Sequence, residues 1–328
     1  MPDLSTQYMG LALKNPIIVS SSDLTKSVEG IKKCEDAGAG AVVLKSVFEE
    51  QFIIESDLGN ETHTLYPEAL DYFRSGGLME YAPQKMCDSI REAKIEVDIP
   101  IIASINCQTD KLWPNFAKQL QEAGADALEL NIYTMPFELD KIGGEYEDYY
   151  LSILKEVKRD VSIPISVKMT PEITSLPYFT KKLADAGCNA VVFFNWFLES
   201  DIDVKNMKTR NVKGSGNFRH SLRWVALLSG RIGCDISSSG GVQTSDDLIK
   251  QLLSGASAVQ VCSLLYQKGV GEISDLLTGL LAWMEDKRYG CVEDFRGELS
   301  FKRQELSFND LGEAGAFFRN QYLKTYSK

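Results

Sequence analysis

Histidine is almost missing from this chain: His63 and His220 are the only two in 328 residues. They lie far apart and outside any HExxH pattern, which argues against histidine-ligated zinc. Positive charge is in deficit as well. The 35 Lys and Arg are outnumbered by 46 Asp and Glu, giving a formal net charge of −11. Nucleic-acid binders carry a basic patch or stripe, so a nucleic-acid partner is disfavoured, while a local cationic pocket stays compatible with the total. Seven cysteines (Cys34, Cys87, Cys107, Cys188, Cys234, Cys262 and Cys291) are scattered, odd in number and never spaced CxxC. That pattern supports neither a disulfide framework nor a zinc or iron–sulfur cluster. No apolar run approaches membrane-spanning length. The opening Met-Pro-Asp-Leu-Ser-Thr-Gln lacks the basic, then apolar, character of a secretion signal. The expectation is a soluble cytoplasmic protein with no membrane partner.

What the chain does contain is strand and helix in alternation. Eight short apolar runs fall near 16–20, 41–46, 100–106, 127–132, 164–169, 190–195, 235–239 and 258–263. Val and Ile dominate several of them, as buried strands prefer. Four of the intervening helices end on one phrase, with Gly38, Gly124, Gly187 or Gly255 where a helix C-cap would sit. Pro100 and Pro164 open two of the strands. Over 111–123, Leu112, Phe116, Leu120 and Ala123 share one helical face. Thr244, followed by Asp246 and Asp247, predicts a capped helix start. Eight repeats of this alternation predict an α/β fold, the (β/α)8 TIM barrel. The competing doubly wound sheet is disfavoured because no GxGxxG follows the first strand. The chain, 1–328, reads as one domain with a C-terminal tail from about residue 295. Connections 51–81, 133–144 and 197–220 exceed simple turns, and barrel active sites are built from loops on that face.

Polar residues close several of these apolar strands. Lys45-Ser46 and Lys168 end the second and fifth, Gly240-Gly241 and Cys262-Ser263 the seventh and eighth. A cation at the end of a buried strand must reach solvent, an anion or a ligand. Three readings of the lysines stand: solvated rim charges, a Schiff-base nucleophile as in a lyase or aldolase barrel, or a cation beside a flavin ring. The glycine pair and the Cys-Ser step suit the phosphate site recurrent in barrels, or the glycines merely turn the chain. Asn131 and Asn195 offer amides for a planar ligand with mixed edges, or cap turns. Ser20-Ser21-Ser22 after the first strand suit the cavity floor, or fill a loop. Asn106 and Cys107 carry a weaker signal.

Together these residues resemble the dihydroorotate dehydrogenase family. The resemblance runs from Asn15-Pro16 to about Gly297, through Leu44-Lys45-Ser46, Leu130-Asn131-Ile132, Val167-Lys168, Gly240-Gly241-Val242 and Val259-Gln260-Val261-Cys262-Ser263. It is nearest the soluble class. It implies FMN, with the ring against Ser20, Ser21, Lys45, Ser46, Asn131, Lys168 and Asn195 and the phosphate near Gly240, Gly241, Cys262 and Ser263. It implies oxidation of dihydroorotate to orotate, in pyrimidine biosynthesis: a base takes a proton from C5 and hydride leaves C6 for the flavin. It also implies fumarate as the second substrate and a homodimer.

The chain departs from the family pattern at its base. The family shows Asn-x-Ser-Cys/Ser-Pro-Asn after strand four. Here the run is Asn131-Ile132-Tyr133-Thr134-Met135-Pro136. Thr134 stands in the place of the base, with Lys45 beside the ring, and Pro136 replaces the Asn that would grip orotate. The substrate loop is reduced to Ser75-Gly76-Gly77-Leu78, and Trp196-Phe197 follow Asn195 where small residues are usual. An aliphatic hydroxyl is a poor base without a water relay or concerted transfer, and the Tyr133 phenol competes for the role. Another cyclic amide as substrate, or a flavin protein without catalysis, therefore stands as an alternative.

Overall fold

The computed structural model describes residues 1–48, 81–106, 112–134, 136–195, 198–213 and 218–305. Eight parallel strands close into a barrel: β1 (Ile17–Val19), β2 (Ala41–Val43), β3 (Ile101–Asn106), β4 (Ala127–Asn131), β5 (Ile165–Met169), β6 (Ala190–Phe193), β7 (Asp235–Ser239) and β8 (Ala258–Val261). β8 pairs with β1, and β2 pairs with β3, so no barrel edge is left open. Each of the eight runs expected from the sequence contains one of these strands. Helices follow them in order: α1 (Val28–Asp36), α2 (Tyr81–Glu96), α3 (Leu112–Glu122), α4 (Gly143–Asp160), α5 (Leu176–Asp185), α6 (Phe218–Leu228), α7 (Ser245–Ser254) and α8 (Glu272–Lys287). This is the (β/α)8 barrel.

The local signals act as expected. Gly38, Gly124, Gly187 and Gly255 all take positive φ, between +91° and +108°, where a side chain is strained. Thr244 caps α7 by accepting from the Asp247 amide at 3.2 Å. On α3, Phe116 and Leu120 are buried, as is Ala123 just beyond it.

Strand alternation divides two cores. Leu128, Leu130, Ile165, Val167, Val259 and Val261 face the helices. Ile18, Ala41, Val43, Ile102, Ala127, Ala190 and Ala258 face the barrel axis. The four alanines leave room there for Tyr8, Met9 and Leu13 of an N-terminal hairpin, Thr6–Tyr8 against Leu11–Leu13. The sequence reading did not anticipate this plug. The connection after β6 carries an antiparallel hairpin, Leu198–Asp203 with Lys208–Lys213. Beyond α8, Phe295 packs on Trp283 and Tyr289, and the chain then binds back through Leu299 and Phe301 amides to the Leu253 and Ala226 carbonyls. The rest of the expected tail, 306–328, and the connection 51–80 lie outside the described residues.

Candidate active site

The parity that turns Ala127 and Ala258 toward the axis turns Glu129, Asn131 and Gln260 the same way. On β5 it turns Ser166 and Lys168 inward, and beyond β1 it reaches Ser20. Polar groups therefore collect at the C-terminal mouth, above the alanine layer and the Tyr8 plug. The β4–β5 register places Asn131 beside Lys168, and the β7–β8 register places Ser239 beside Gln260.

Lys168, 5% exposed, is the centre of this group. Its Nζ donates to Ser20 Oγ and to Gln260 Oε1, both at 3.1 Å, and stands 3.4 Å from Glu129 Oε1. Ser20 Oγ also lies 3.0 Å from Gln260 Oε1, and Gln260 Nε2 donates to Glu129 Oε2 at 2.6 Å. Burying a charge is tolerable only when it is paired and hydrogen-bonded, and this ring does both. Glu129 and Gln260 were not singled out from the sequence. The available signal was a charged and an amide residue at inward parity within otherwise apolar strands.

Asn195 Nδ2 donates to Asn131 Oδ1 at 2.6 Å. That bond leaves the Asn131 amide group as donor and the Asn195 carbonyl as acceptor for something else. Ser46 joins the floor: its amide donates to Ser21 Oγ at 2.8 Å, and its hydroxyl lies 2.7 Å from Ser104 Oγ. Lys45 is separate from the Lys168 ring. Its Nζ meets Asp23 Oδ1 at 2.5 Å on the rim, where its side chain is 38% exposed. That hydrogen bond holds the Asp23 carboxyl below its usual range.

Gly240 and Gly241 follow β7 with φ +89° and +84°. A Cβ on Gly241 would fall 2.9 Å from Phe218 Cβ, so the start of α6 requires glycine there. Opposite them, Gln243 Nε2 donates to Ser263 Oγ at 3.0 Å, tying the β7 and β8 connections together. Ser263 is exposed and Cys262 half-buried; burial raises the Cys262 thiol, against the opposing charge of Lys168. After β4, Thr134 is half-buried and Tyr133 more exposed. Burial, then the Glu172 carboxylate, raises the Tyr133 phenol. It is therefore protonated at neutral pH and suited to donate a hydrogen bond, not to act as base. Met135, Trp196, Phe197, Cys107 and the 75–78 loop lie outside the described residues.

This donor set suits a flat heteroaromatic ring with mixed edges on the Asn131, Asn195 and Lys168 side, and a phosphate on the glycine side. At Lys168 the arrangement differs from that of a Schiff-base nucleophile, whose amine must be free to attack: its Nζ is engaged by Ser20 Oγ and Gln260 Oε1 and faces Glu129 Oε1. Among the described residues, no group of three or more His, Cys, Asp or Glu is placed to hold a metal. No described helix is long and apolar enough to cross a membrane. A separate cavity of about 1030 Å³ lies at the opposite end, between Met9, Cys188, Asp235, Arg296 and Lys302. The cations that line it are engaged: Arg296 with Glu293 and Ser257, Lys302 with the Gly230 carbonyl and Arg303 with the Arg296 carbonyl.

The family model for dihydroorotate dehydrogenase matches residues 3–284. The catalytic subunit of dihydroorotate dehydrogenase B (NAD(+)) from Thermoplasma acidophilum is 26% identical over 306 residues, covering 90% of this chain and 99% of that protein. Its counterpart from Pyrococcus furiosus is 27% identical over 304 residues, covering 90% and 98%. The NAD-dependent dihydropyrimidine dehydrogenase subunit PreA of Escherichia coli K12 is 25% identical over 316 residues, covering 90% and 76%.

Proposed function

The chain belongs to the dihydroorotate dehydrogenase family, and from that premise we propose that it is an FMN-dependent dehydrogenase of the CH–CH bond in a reduced pyrimidine ring. The observation that carries this reading is the buried Lys168 beside the Asn131–Asn195 amide pair at the barrel mouth. Ser20, Ser21, Ser46, Asn131, Lys168 and Asn195 would hold the ring system, with Lys45 at its rim. Gly240, Gly241, Cys262 and Ser263 would hold the phosphate. Bound FMN supplies the hydride acceptor. The chain's own part is to keep a cation against the ring edge, align the substrate, and take a proton at Thr134 through a relay or a concerted transfer.

Two substrates compete. Dihydroorotate is the one named for most of the relatives above. A neutral dihydropyrimidine, as in the name of PreA, is favoured by Pro136: proline has neither an amide side chain nor an N–H to offer a substrate carboxylate. The relatives are NAD(+)-linked catalytic subunits by name, so the fumarate expectation gives way to NAD+ reached through a second subunit. A cytoplasmic location goes with this reading.

The test is a visible spectrum of the purified protein, then anaerobic addition of dihydroorotate or 5,6-dihydrouracil. A yellow protein bleached by one of them supports the reading and chooses the substrate. A colourless protein that takes up no FMN overturns it. Thr134→Ala is expected to keep the flavin and slow its reduction by about 10²–10⁴-fold. Unchanged stopped-flow kinetics would remove Thr134 from the reaction.

A further inference from the structure

The ring around Lys168 has only one consistent set of hydrogen positions. An ammonium only donates and an ionised carboxylate only accepts. Gln260 must therefore turn Oε1 to Lys168 and Nε2 to Glu129, as its 3.1 Å and 2.6 Å contacts have it. Flipping the amide would set NH2 against NH3+ and oxygen against carboxylate. Ser20 accepts from Lys168, so its own proton goes to Gln260 Oε1. Strands β4, β5 and β8 and the residue that follows β1 supply the four members.

Among the described residues, Glu129 is the only carboxylate within 4 Å of the Lys168 ammonium. The other titratable groups around it are the Cys262 thiol beyond β8, which burial keeps neutral, and the Asp23–Lys45 pair on the rim. Tyr8 faces Glu129 from the plug below; burial first, then Glu129 and Asp235, push its phenol well above the usual range, so it too is neutral. The charge that offsets Lys168 thus comes from Glu129.

We propose that Glu129 and Gln260 are positioning residues: the carboxylate supplies the counter-charge beside the Lys168 amine and the amide aims that amine at the mouth. The consequence for a flavin rests on the functional reading above. Neither residue needs to touch the ligand. Glu129 at 1% exposure lies a layer below the mouth. Through Lys168, it sets how firmly a positive charge waits where reduction places negative charge.

The experiment is trace acetylation of the purified protein, with and without FMN removal, between pH 6 and 10. Label at Lys168 is read by peptide mass spectrometry and normalised to the exposed Lys26. Only the neutral amine reacts. Glu129→Gln is expected to raise Lys168 labelling at pH 8 about tenfold, equivalent to about 1.4 kcal/mol of lost pairing, with circular dichroism unchanged. Gln260→Leu keeps the carboxylate and is expected to raise it less. Should Glu129→Gln fold poorly, Glu129→Asp retains the charge and is expected to keep wild-type labelling. An unaltered Lys168 profile in Glu129→Gln overturns the proposal, as does a larger effect in Gln260→Leu or raised labelling in Glu129→Asp. In flavin-bearing protein, the reduction midpoint of Glu129→Gln should gain pH dependence, because reduction would then draw a proton onto Lys168. The labelling is readable without flavin, so a chain that binds none fails the functional reading and leaves this one still decided.

Discussion

Lys168 and Glu129 form a pair whose members are costly apart. Breaking a buried ion pair by removing one partner strands the other charge and typically costs about 3–5 kcal/mol. Lys168→Met leaves Glu129 in that state, held among the described residues by the Gln260 Nε2 hydrogen bond. The double variant Lys168→Met/Glu129→Gln removes both charges and is expected to recover much of the loss. Urea titrations of the four proteins measure this coupling; strictly additive destabilisation would mean that the pair is independent. Lys45 offers a contrast. Its partner Asp23 is exposed, and surface pairs contribute about 0–1 kcal/mol, so Lys45→Met should leave stability nearly unchanged.

At the scale of elements, the turn that ends α7 is more costly to alter than the cap that starts it. Gly255 ends α7 at φ +108°, and a Cβ there would meet Ser229 Oγ at 2.0 Å. Gly255→Ala adds backbone strain to a clash and is expected to cost about 1–3 kcal/mol, more than the roughly 1 kcal/mol lost with the cap in Thr244→Ala. Chemical denaturation of the two variants checks the order. The reverse order would show that the 255 turn relaxes freely. The same glycine phrase at 38, 124 and 187 makes four helix-to-strand joints alike, and each delivers a strand to the barrel with its inward parity set.

The whole molecule should be sensitive to alkali. Burial raises the Cys34 thiol to about 11 and the Cys188 thiol to about 12, from a reference of 9.0. Burial also raises the phenols of Tyr8 and Tyr150 above their usual range. In each case the folded state prefers the protonated form. Their contribution is intact below about pH 9 and is lost as pH rises through 11 to 12, because the unfolded chain ionises first. Denaturation midpoints should hold from pH 7 to about pH 9 and be lower at pH 10.5, and Cys188→Ala should lessen that fall. A midpoint that holds to pH 10.5 would contradict the burial of these groups.

The sequence by itself determined the repeat. Apolar runs, glycine C-caps and strand-opening prolines are local signals, each set by the φ preference or side-chain period of a few neighbouring residues. Eight of them in order allow few folds other than a closed barrel. Lys168, Asn131, Asn195 and Gly240-Gly241 were legible because they interrupt that pattern at strand ends. Only the tertiary structure decided which of them meet. It tied Lys168 to Glu129 and Gln260, sent Lys45 outward to Asp23, and placed Tyr8 under the site across more than a hundred residues of sequence. Such pairings depend on barrel closure and strand register, which bring distant side chains to one axis; no local preference in the chain encodes those distances.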